Sequence, residues 1–206
     1  MERLPLPELL ARAQHIANAS DRAVIAIVGP PGSGKSTVAE QVAAAVGATA
    51  RVVPMDGFHL SNAELARLQR ADRKGAIDTF DGFGYLHLVR RLAAGEEDVY
   101  APNFDRTIEE PVAGSILVDR SVRLVICEGN YLLVDRPPWN ELRKLFTQAW
   151  YCEVDEAIRI ERLVARHHAF GKPLDKARAW ALGTDQVNAA VIEPSRDRAD
   201  VVAVLS

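Results

Sequence analysis

The stretch GPPGSGKST, at residues 29–37, has the residue types and the spacing of a site for nucleoside triphosphates. It matches G-x-x-x-x-G-K-[ST] in full and follows an apolar run, AVIAIV. Its glycines allow N–H groups to surround phosphate oxygens, its lysine brings a charge to the β- and γ-phosphates, and the next hydroxyl ligates Mg²⁺. Lys35 is therefore a predicted catalytic residue and Ser36 a predicted metal ligand. We expect ATP to be bound by Gly29, Pro30, Pro31, Gly32, Ser33, Gly34, Lys35, Ser36 and Thr37.

Two acidic residues follow other apolar runs: Asp56 comes after RVVPM, and Glu128 comes after RLVIC. If both runs are strands of an open α/β sheet, these residues lie outside the strands' carboxyl ends, where ligands bind. Asp56 could then accept the proton of a substrate hydroxyl, and Glu128 could hold Mg²⁺ directly or through water. The alternatives are that Asp56 caps a turn with Gly57 and that Glu128 forms a buried ion pair. His59 either contacts the substrate or packs in the core.

Three arginines, Arg159, Arg162 and Arg166, recur at i, i+3 and i+7 and therefore share one face of a helix. Such a row could close over the transferring phosphoryl group as a lid. We predict catalytic roles for Arg162 and Arg166. The alternative is a solvated basic face.

The class of nucleotide-binding protein depends on other motifs, because a phosphate-binding loop does not fix the reaction. The chain contains neither the Asn-Lys-x-Asp of GTPases nor the Leu-Ser-Gly-Gly of transport ATPases. These absences favour a small-molecule kinase. The alternative from a different class is a nucleotide-dependent regulatory ATPase that phosphorylates no small molecule.

The elements that must position these residues follow from the alternation of short apolar runs with longer segments of helical period, which predicts parallel strands joined by helices. The expected fold is a three-layer α/β sandwich with a mostly parallel five-stranded sheet and helices on both faces. The expected strands are AVIAIV, RVVPM, RLVIC, AWYCEV and ADVVAVL. Helices are expected near 35–46, 61–70, 82–94, 138–146, 156–170 and 172–192, and residues 1–20 resemble an amphipathic helix. Segments 74–81 and 100–114 lose this period and are predicted to be flaps.

Composition limits the remaining possibilities. The 206 residues are 48% hydrophobic and 26% charged, which is typical of one globular domain. The net charge of −3 gives no support for nucleic-acid or membrane binding, and no apolar run has the length of a membrane span. Cys127 and Cys152 lie in predicted buried strands, so we expect neither a disulfide nor a metal site there. A cytoplasmic monomer or homodimer acting on a small molecule is expected.

The motifs taken together resemble the P-loop family that contains uridine kinase, pantothenate kinase and phosphoribulokinase. The chain is most similar to the bacterial members described as fructose transport system kinases. The resemblance covers nearly the whole chain and is carried by GPPGSGKST, MDGFHLSN, RKGAIDTFD, YAPNFDR, VICEGNYLL and IEPSRDRADVV. It implies one P-loop kinase domain over residues 1–206, with substrate flaps within about 72–114 and a lid helix near 156–172.

The resemblance also implies roles for individual residues. Asp56 would be the catalytic base, and Arg196 would border the adenine. The flap motifs imply substrate contacts for Arg73, Lys74, Asp81, Asp105 and Arg106. After NFDR the chain reads TIEE and lacks the His-x-Arg of uridine kinases, which disfavours a pyrimidine nucleoside. The chain is also shorter than pantothenate kinases, so fructose or a related sugar is the first expectation for the acceptor.

Overall fold

The computed structural model, which describes residues 1–205, contains a parallel sheet and a separate antiparallel hairpin. The strands are β1 (Glu2–Pro5), β2 (Ala23–Val28), β3 (Ala50–Pro54), β4 (Val99–Asp105), β5 (Glu110–Val118), β6 (Leu124–Gly129), β7 (Gln148–Glu153) and β8 (Val201–Val204). Six strands pair in parallel in the order β1-β8-β7-β2-β6-β3, while β4 and β5 form the hairpin. The predicted α/β fold is confirmed, with six strands in the main sheet where five were expected.

Helices cover both faces of the sheet and complete the three layers. They are α1 (Leu6–Ala19), α2 (Lys35–Val46), α3 (Asn62–Arg67), α4 (Gly82–Ala94), α5 (Glu156–Ala169), α6 (Leu174–Leu182) and α7 (Thr184–Ile192). Helices α1 and α2 contribute Leu9 and Val42 to one buried cluster, whereas α4 contributes Tyr85 and Leu92 to the cluster on the other face. Among the residues described, no helix combines the length and apolar character needed to cross a membrane.

Strand β1 is the element that the sequence did not predict. Its four residues pair with β8 at the edge of the sheet. Pro5 ends the strand and immediately precedes α1, and Pro7 lies in the first helical turn, where a missing N–H group costs nothing. The prediction of one helix over residues 1–20 was therefore wrong at its first five residues, because so short a strand gives no periodic signal.

Two of the predicted helices differ in kind. Residues 138–146 contain a 3₁₀ helix, Trp139–Leu145, whose buried Trp139 and Leu142 have the i, i+3 spacing that aligns side chains in a 3₁₀ helix. The single helix predicted over 172–192 is two helices, because the backbone leaves the helical conformation at Gly183. Glycine has a low helix propensity, and this break separates α6 from α7.

The two predicted flaps are ordered segments. Residues 100–114 belong mostly to the β4–β5 hairpin, in which the register shifts between Ala101 and Asn103 and most of β5 is exposed. Both features hide the alternation expected of a half-buried strand. Residues 74–81 contain a short 3₁₀ helix, Ile77–Thr79. Their role in covering a substrate stays a prediction.

Candidate active site

The loop between β2 and α2 is the predicted phosphate-binding segment. Gly32 and Gly34 have φ of 82° and 87°, in the left-handed region that favours glycine. A Cβ on Gly32 would lie 2.8 Å from the carbonyl oxygen of Arg159, so the loop also has no room for a side chain there. The Lys35 ammonium donates a hydrogen bond to the loop's own Pro30 oxygen at 3.0 Å. The first-turn N–H groups of α2 lack partners within the helix and are suited to binding an anion.

Helix α5 is tied to this loop by Arg159. The residue is only 4% exposed, and its Nη1 donates to the Pro31 oxygen at 3.3 Å. Its Nη2 donates to Gln186 of α7. Arg159 therefore joins the loop to the helices that follow it, a role that its position in the arginine row did not reveal.

The two predicted acidic residues lie at neighbouring strand ends. In the sheet register Glu128 is opposite both Ile27 of β2 and Pro54 of β3, and Asp56 follows β3 in the 3₁₀ helix Met55–Phe58. Burial raises the pKa of Glu128 to about 7, while Lys35 and a hydrogen bond from Ser36 oppose the rise. Burial likewise lowers the pKa of Lys35, against the attraction of Glu128. The two charged groups are thus close partners in a desolvated site.

Asp56 does not cap the turn. The 3₁₀ helix has no side-chain cap, and Oδ2 of Asp56 instead accepts a hydrogen bond from Arg106 Nη2 at 2.7 Å. Oδ1 has no partner among the described residues. Gly57 serves close packing, since a Cβ there would lie 2.4 Å from the Pro102 oxygen of β4. The hairpin can therefore approach closely enough to bring Arg106 to Asp56.

His59 both packs and faces the site. Its ring lies 4.0 Å from that of Phe80 and 4.9 Å from that of Phe104, between centroids, and its Nδ1 is 2.9 Å from the backbone oxygen of Asp56. Burial lowers the pKa of His59, which favours the neutral ring. His59 also lines a cavity beside the phosphate-binding loop. Both interpretations from the sequence, packing and substrate contact, therefore describe part of its environment.

A cavity of about 470 Å³ brings nine of the predicted site residues together. This volume is in the range of small-molecule sites. The predicted residues that line it are Pro31, Lys35, Ser36, Asp56, His59, Lys74, Arg106, Glu128 and Arg166.

Other predicted residues make local structural contacts and do not line this cavity. Arg73 pairs with Asp78 at 2.9 Å, and Asp81 caps α4 by accepting from Gly84 N. Asp105 accepts from Thr107 N at 2.7 Å. These contacts within the protein explain the positions of all three side chains. Their contact with a substrate stays a prediction.

Two predicted arginines lie outside the cavity, and one of them, Arg162, is near the phosphate-binding loop. Arg162 is exposed, and its Nη1 lies 3.8 Å from where a Cβ on Gly34 would be. Arg196 pairs with Glu153, the last residue of β7, at 2.7 Å. Their roles toward phosphate and adenine stay predictions.

The cavity also contains residues that the sequence did not single out, and six of them come from α5–α7 and the loop between α5 and α6. They include His167, Lys172, Trp180, Asp185 and Asn188. His167 Nε2 is 2.7 Å from Asp185 Oδ2, and Asp185 and Asn188 are both buried. The available signal was the i, i+3 spacing of Asp185 and Asn188, but the sequence did not show that this face of the helix is buried.

The residues present fit a magnesium ion held together with a nucleotide. Within residues 1–205 no group of three or more His, Cys, Asp or Glu side chains is arranged to hold a metal by itself. Mg²⁺ at phosphate-transfer sites instead uses one or two protein oxygens together with substrate phosphates and waters. Ser36 and Glu128 supply one hydroxyl and one carboxylate on the same cavity wall.

Comparisons with known proteins identify relatives along most of the chain. A candidate uridine kinase of Schizosaccharomyces pombe is 33% identical over 207 residues, covering 95% of this chain and 88% of the relative. The ATP-dependent kinase-like protein notR′ of Aspergillus versicolor is 39% identical over 152 residues, covering 69% and 88%. The crystal structure of a candidate fructose transport system kinase from Silicibacter sp. TM1040 is 40% identical, with a TM-score of 0.85, and the match covers 94% of this chain and 98% of that one. No family model matches the chain.

The chain has a phosphate-binding loop after its second strand, and it is similar to these relatives over most of its length. Together these two findings define the class of protein. The chain belongs to the P-loop kinase family that includes uridine kinase-like proteins and ATP-dependent kinases. The protein is therefore an ATP-dependent phosphotransferase with an alcohol group as acceptor, and the predicted family is confirmed.

Proposed function

We propose that this kinase transfers the γ-phosphoryl group of MgATP to a hydroxyl of a sugar, with fructose or a related sugar as the first candidate. One observation carries the proposal: Lys35, Ser36, Asp56 and Glu128 line a single cavity. The likeness to the Silicibacter protein, whose description names fructose transport, supports a sugar. A nucleoside is the second candidate, because the S. pombe relative is described as a candidate uridine kinase.

The cavity divides by chemistry into two ends. The donor end comprises Pro31, Lys35 and Ser36 of the loop, together with Glu128 and Arg166. Here the Lys35 ammonium would leave the Pro30 oxygen for the β- and γ-phosphates. Bound Mg²⁺, held by Ser36 and Glu128, would neutralise charge on the phosphates. Burial lowers the pKa of Lys35, and the positive charge of Arg166 lowers it further, so the two cations lie close together. Arg166 is therefore placed to stabilise negative charge on the transferring phosphoryl group.

The acceptor end comprises Asp56, His59, Lys74, Phe104, Arg106 and Lys172. Arg106 holds one oxygen of Asp56, which leaves the other oxygen for an acceptor hydroxyl. The hydroxyl proton would pass to Asp56 as the hydroxyl oxygen bonds to the γ-phosphorus. The bond from that phosphorus to the β–γ bridging oxygen breaks, and ADP leaves with the bond's electron pair.

The direct test is release of ADP on addition of a small molecule, measured by a coupled assay over sugars, nucleosides and pantothenate. We expect ADP release to depend on the acceptor and to be greatest with a sugar. ATP hydrolysis that is independent of every acceptor would favour the regulatory ATPase and contradict the proposal.

Asp56→Asn tests the chemistry at the acceptor end. The variant should fold and bind MgATP normally, because the amide is nearly isosteric, but kcat should fall by about 10² to 10⁴ on loss of the base. Melting temperature, ATP affinity and kcat are measured on one preparation. A stable variant that keeps most of its turnover would exclude Asp56 as the base.

A further inference from the structure

The acceptor end contains positive charges that the contacts within the protein leave without carboxylate partners. In the part of the chain that the structure describes, Lys74 and Lys172 form no ion pair. Lys74 Nζ donates to two neutral oxygens, Asn62 Oδ1 at 2.7 Å and the Glu109 backbone at 2.6 Å. Lys172 Nζ lies 5.0 Å from the centre of the Trp180 ring. Both lysines line the cavity.

These lysines form one group with Arg106. Lys74 Nζ and Arg106 Cζ each lie 5.0 Å from the centre of the Phe104 ring, so the same aromatic side chain supports both charges. Burial lowers the pKa of Lys74, Glu109 and Glu110 oppose the shift, and the positive charges of Arg106 and Lys172 add to it. Three cations are therefore close to one another, and the carboxylates of Glu109 and Glu110 offset part of their mutual repulsion. An anion bound among the three would offset more of it.

The group is separate from the cations of the donor end. Lys74 Nζ and Arg106 lie over the Phe104 ring, whereas Lys35 Nζ is bound to the Pro30 oxygen of the phosphate-binding loop. Arg106 is already bound to Asp56. An anion at the acceptor end would thus meet Lys74 and Lys172 first, while the nucleotide phosphates meet Lys35 and Arg166.

We propose that the acceptor carries an anionic group, a phosphate or a carboxylate, which Lys74 and Lys172 bind beside Arg106 while Asp56 faces the reacting hydroxyl. This inference rests on the proposed function and narrows it. A sugar acceptor would be a sugar phosphate or a sugar acid. Charge-assisted hydrogen bonds to such a group are stronger than those to a neutral hydroxyl, so the cations would select for it.

The first experiment isolates the acceptor end by saturating the protein with MgAMP-PNP, a nucleotide whose phosphates occupy the donor end. Inorganic phosphate and acetate are then titrated by calorimetry. We expect at least one to bind, and Lys74→Gln and Lys172→Gln each to weaken binding by about tenfold, the scale of one lost charged hydrogen bond. Lys176→Gln is the matched control, because Lys176 is exposed and does not line the cavity. Phosphate should bind better than acetate if the acceptor is phosphorylated, and the order should reverse for a carboxylate.

Absence of binding to the nucleotide-loaded protein would overturn the inference, as would equal binding by all three variants. Binding only when AMP-PNP is absent would also overturn it, because the lysines would then serve the nucleotide. If the Lys74 variant unfolds, Lys172→Gln remains as the test. We expect this variant to fold, because the Lys172 ammonium lies against the Trp180 ring and forms no ion pair within the described residues.

The second experiment compares acceptors that differ only in the anionic group: fructose with fructose 6-phosphate, glycerol with glycerate, and pantothenol with pantothenate. The anionic member should have a kcat/KM at least about tenfold higher, and Lys172→Gln should reduce only that advantage. Preference for the neutral member would refute the inference while leaving the kinase assignment intact. Anion binding without turnover of any acceptor would refute the proposed function and leave the anion site standing.

Discussion

The donor and acceptor ends of the cavity are built in different ways. The loop residues of the donor end, Pro31, Lys35 and Ser36, come from one strand-to-helix turn over residues 29–37, whose backbone sets their geometry. The acceptor end is formed by side chains from the segment after β3, the hairpin, and the loop between α5 and α6. The triphosphate is the same for every acceptor, and its binding can use a fixed backbone. Recognition of the acceptor instead depends on how separate segments pack together.

This comparison predicts that substitutions at the donor end affect every acceptor equally. The largest such effect is expected for Lys35→Ala. Loss of its charge from the β- and γ-phosphates should reduce kcat by about 10² to 10³ and weaken ATP binding, whatever the acceptor. The measurements are kcat and ATP affinity, with Lys176→Ala as the control.

Turnover and ATP binding near the parent level in Lys35→Ala would remove the loop from the nucleotide site. A loss that depended strongly on the acceptor would break the division of the cavity into two ends.

Glu128 joins the loop to the strand ends, and Glu128→Gln should have a smaller effect. It should shift the Mg²⁺ dependence of the rate to higher concentration, because the amide is a weaker ligand for a hard cation. An unchanged Mg²⁺ titration would leave Glu128 with a structural role only.

The same substitution should change how stability depends on pH. Burial raises the pKa of Glu128 from 4.5 to about 7 in the folded protein. Between these values the folded state keeps a proton that the unfolded chain has released, so this residue's contribution to stability decreases as pH rises through that window. Without nucleotide or metal, the melting temperature of Glu128→Gln should therefore rise relative to that of the parent protein as the pH increases from 4.5 to about 7. Parallel melting curves would contradict the raised pKa.

The same contrast explains how much the sequence could predict. Residues 29–37 match a contiguous sequence motif, so Lys35 could be located from the sequence. The ends of β3 and β6 follow from apolar runs, so Asp56 and Glu128 could be located in the same way. Lys172 could not, because its position depends on where α5 ends and how α6 and α7 fold back after Gly183. The motif RKGAIDTFD drew attention to Arg73 and Lys74 together, yet only Lys74 lines the cavity.

The fold shows a similar limit. The five predicted strands have nearly continuous apolar runs and were found, whereas β1 has one buried residue in four and was missed. The hairpin has a register shift and an exposed second strand, so it resembled an irregular flap. A helix or strand can be predicted when its own sequence shows a clear hydrophobic period. It cannot be predicted when its structure depends on contacts with other segments.

The smallest predicted effect concerns the support of Lys74. The next residue's carbonyl oxygen, that of Gly75, accepts hydrogen bonds from Tyr131 Oη at 2.7 Å and Asn188 Nδ2 at 3.3 Å. Tyr131→Phe removes the shorter bond but leaves the oxygen partnered, so we expect a loss of about 1 kcal/mol in the free energy of unfolding. Because the loop that carries Lys74 loosens while residues 29–37 are untouched, KM for the acceptor should rise and KM for ATP should not.

Tyr85→Phe separates this effect from a general loss of stability. Tyr85 is also fully buried, and its hydroxyl donates to the Val53 oxygen at 3.4 Å, but it does not line the cavity. It should lower the melting temperature without changing either KM. If both variants raise the acceptor KM equally, the acceptor end responds to global stability and Gly75 has no special part in it. If only Tyr131→Phe does so, the acceptor end depends on packing between segments, as the difference between the two ends requires.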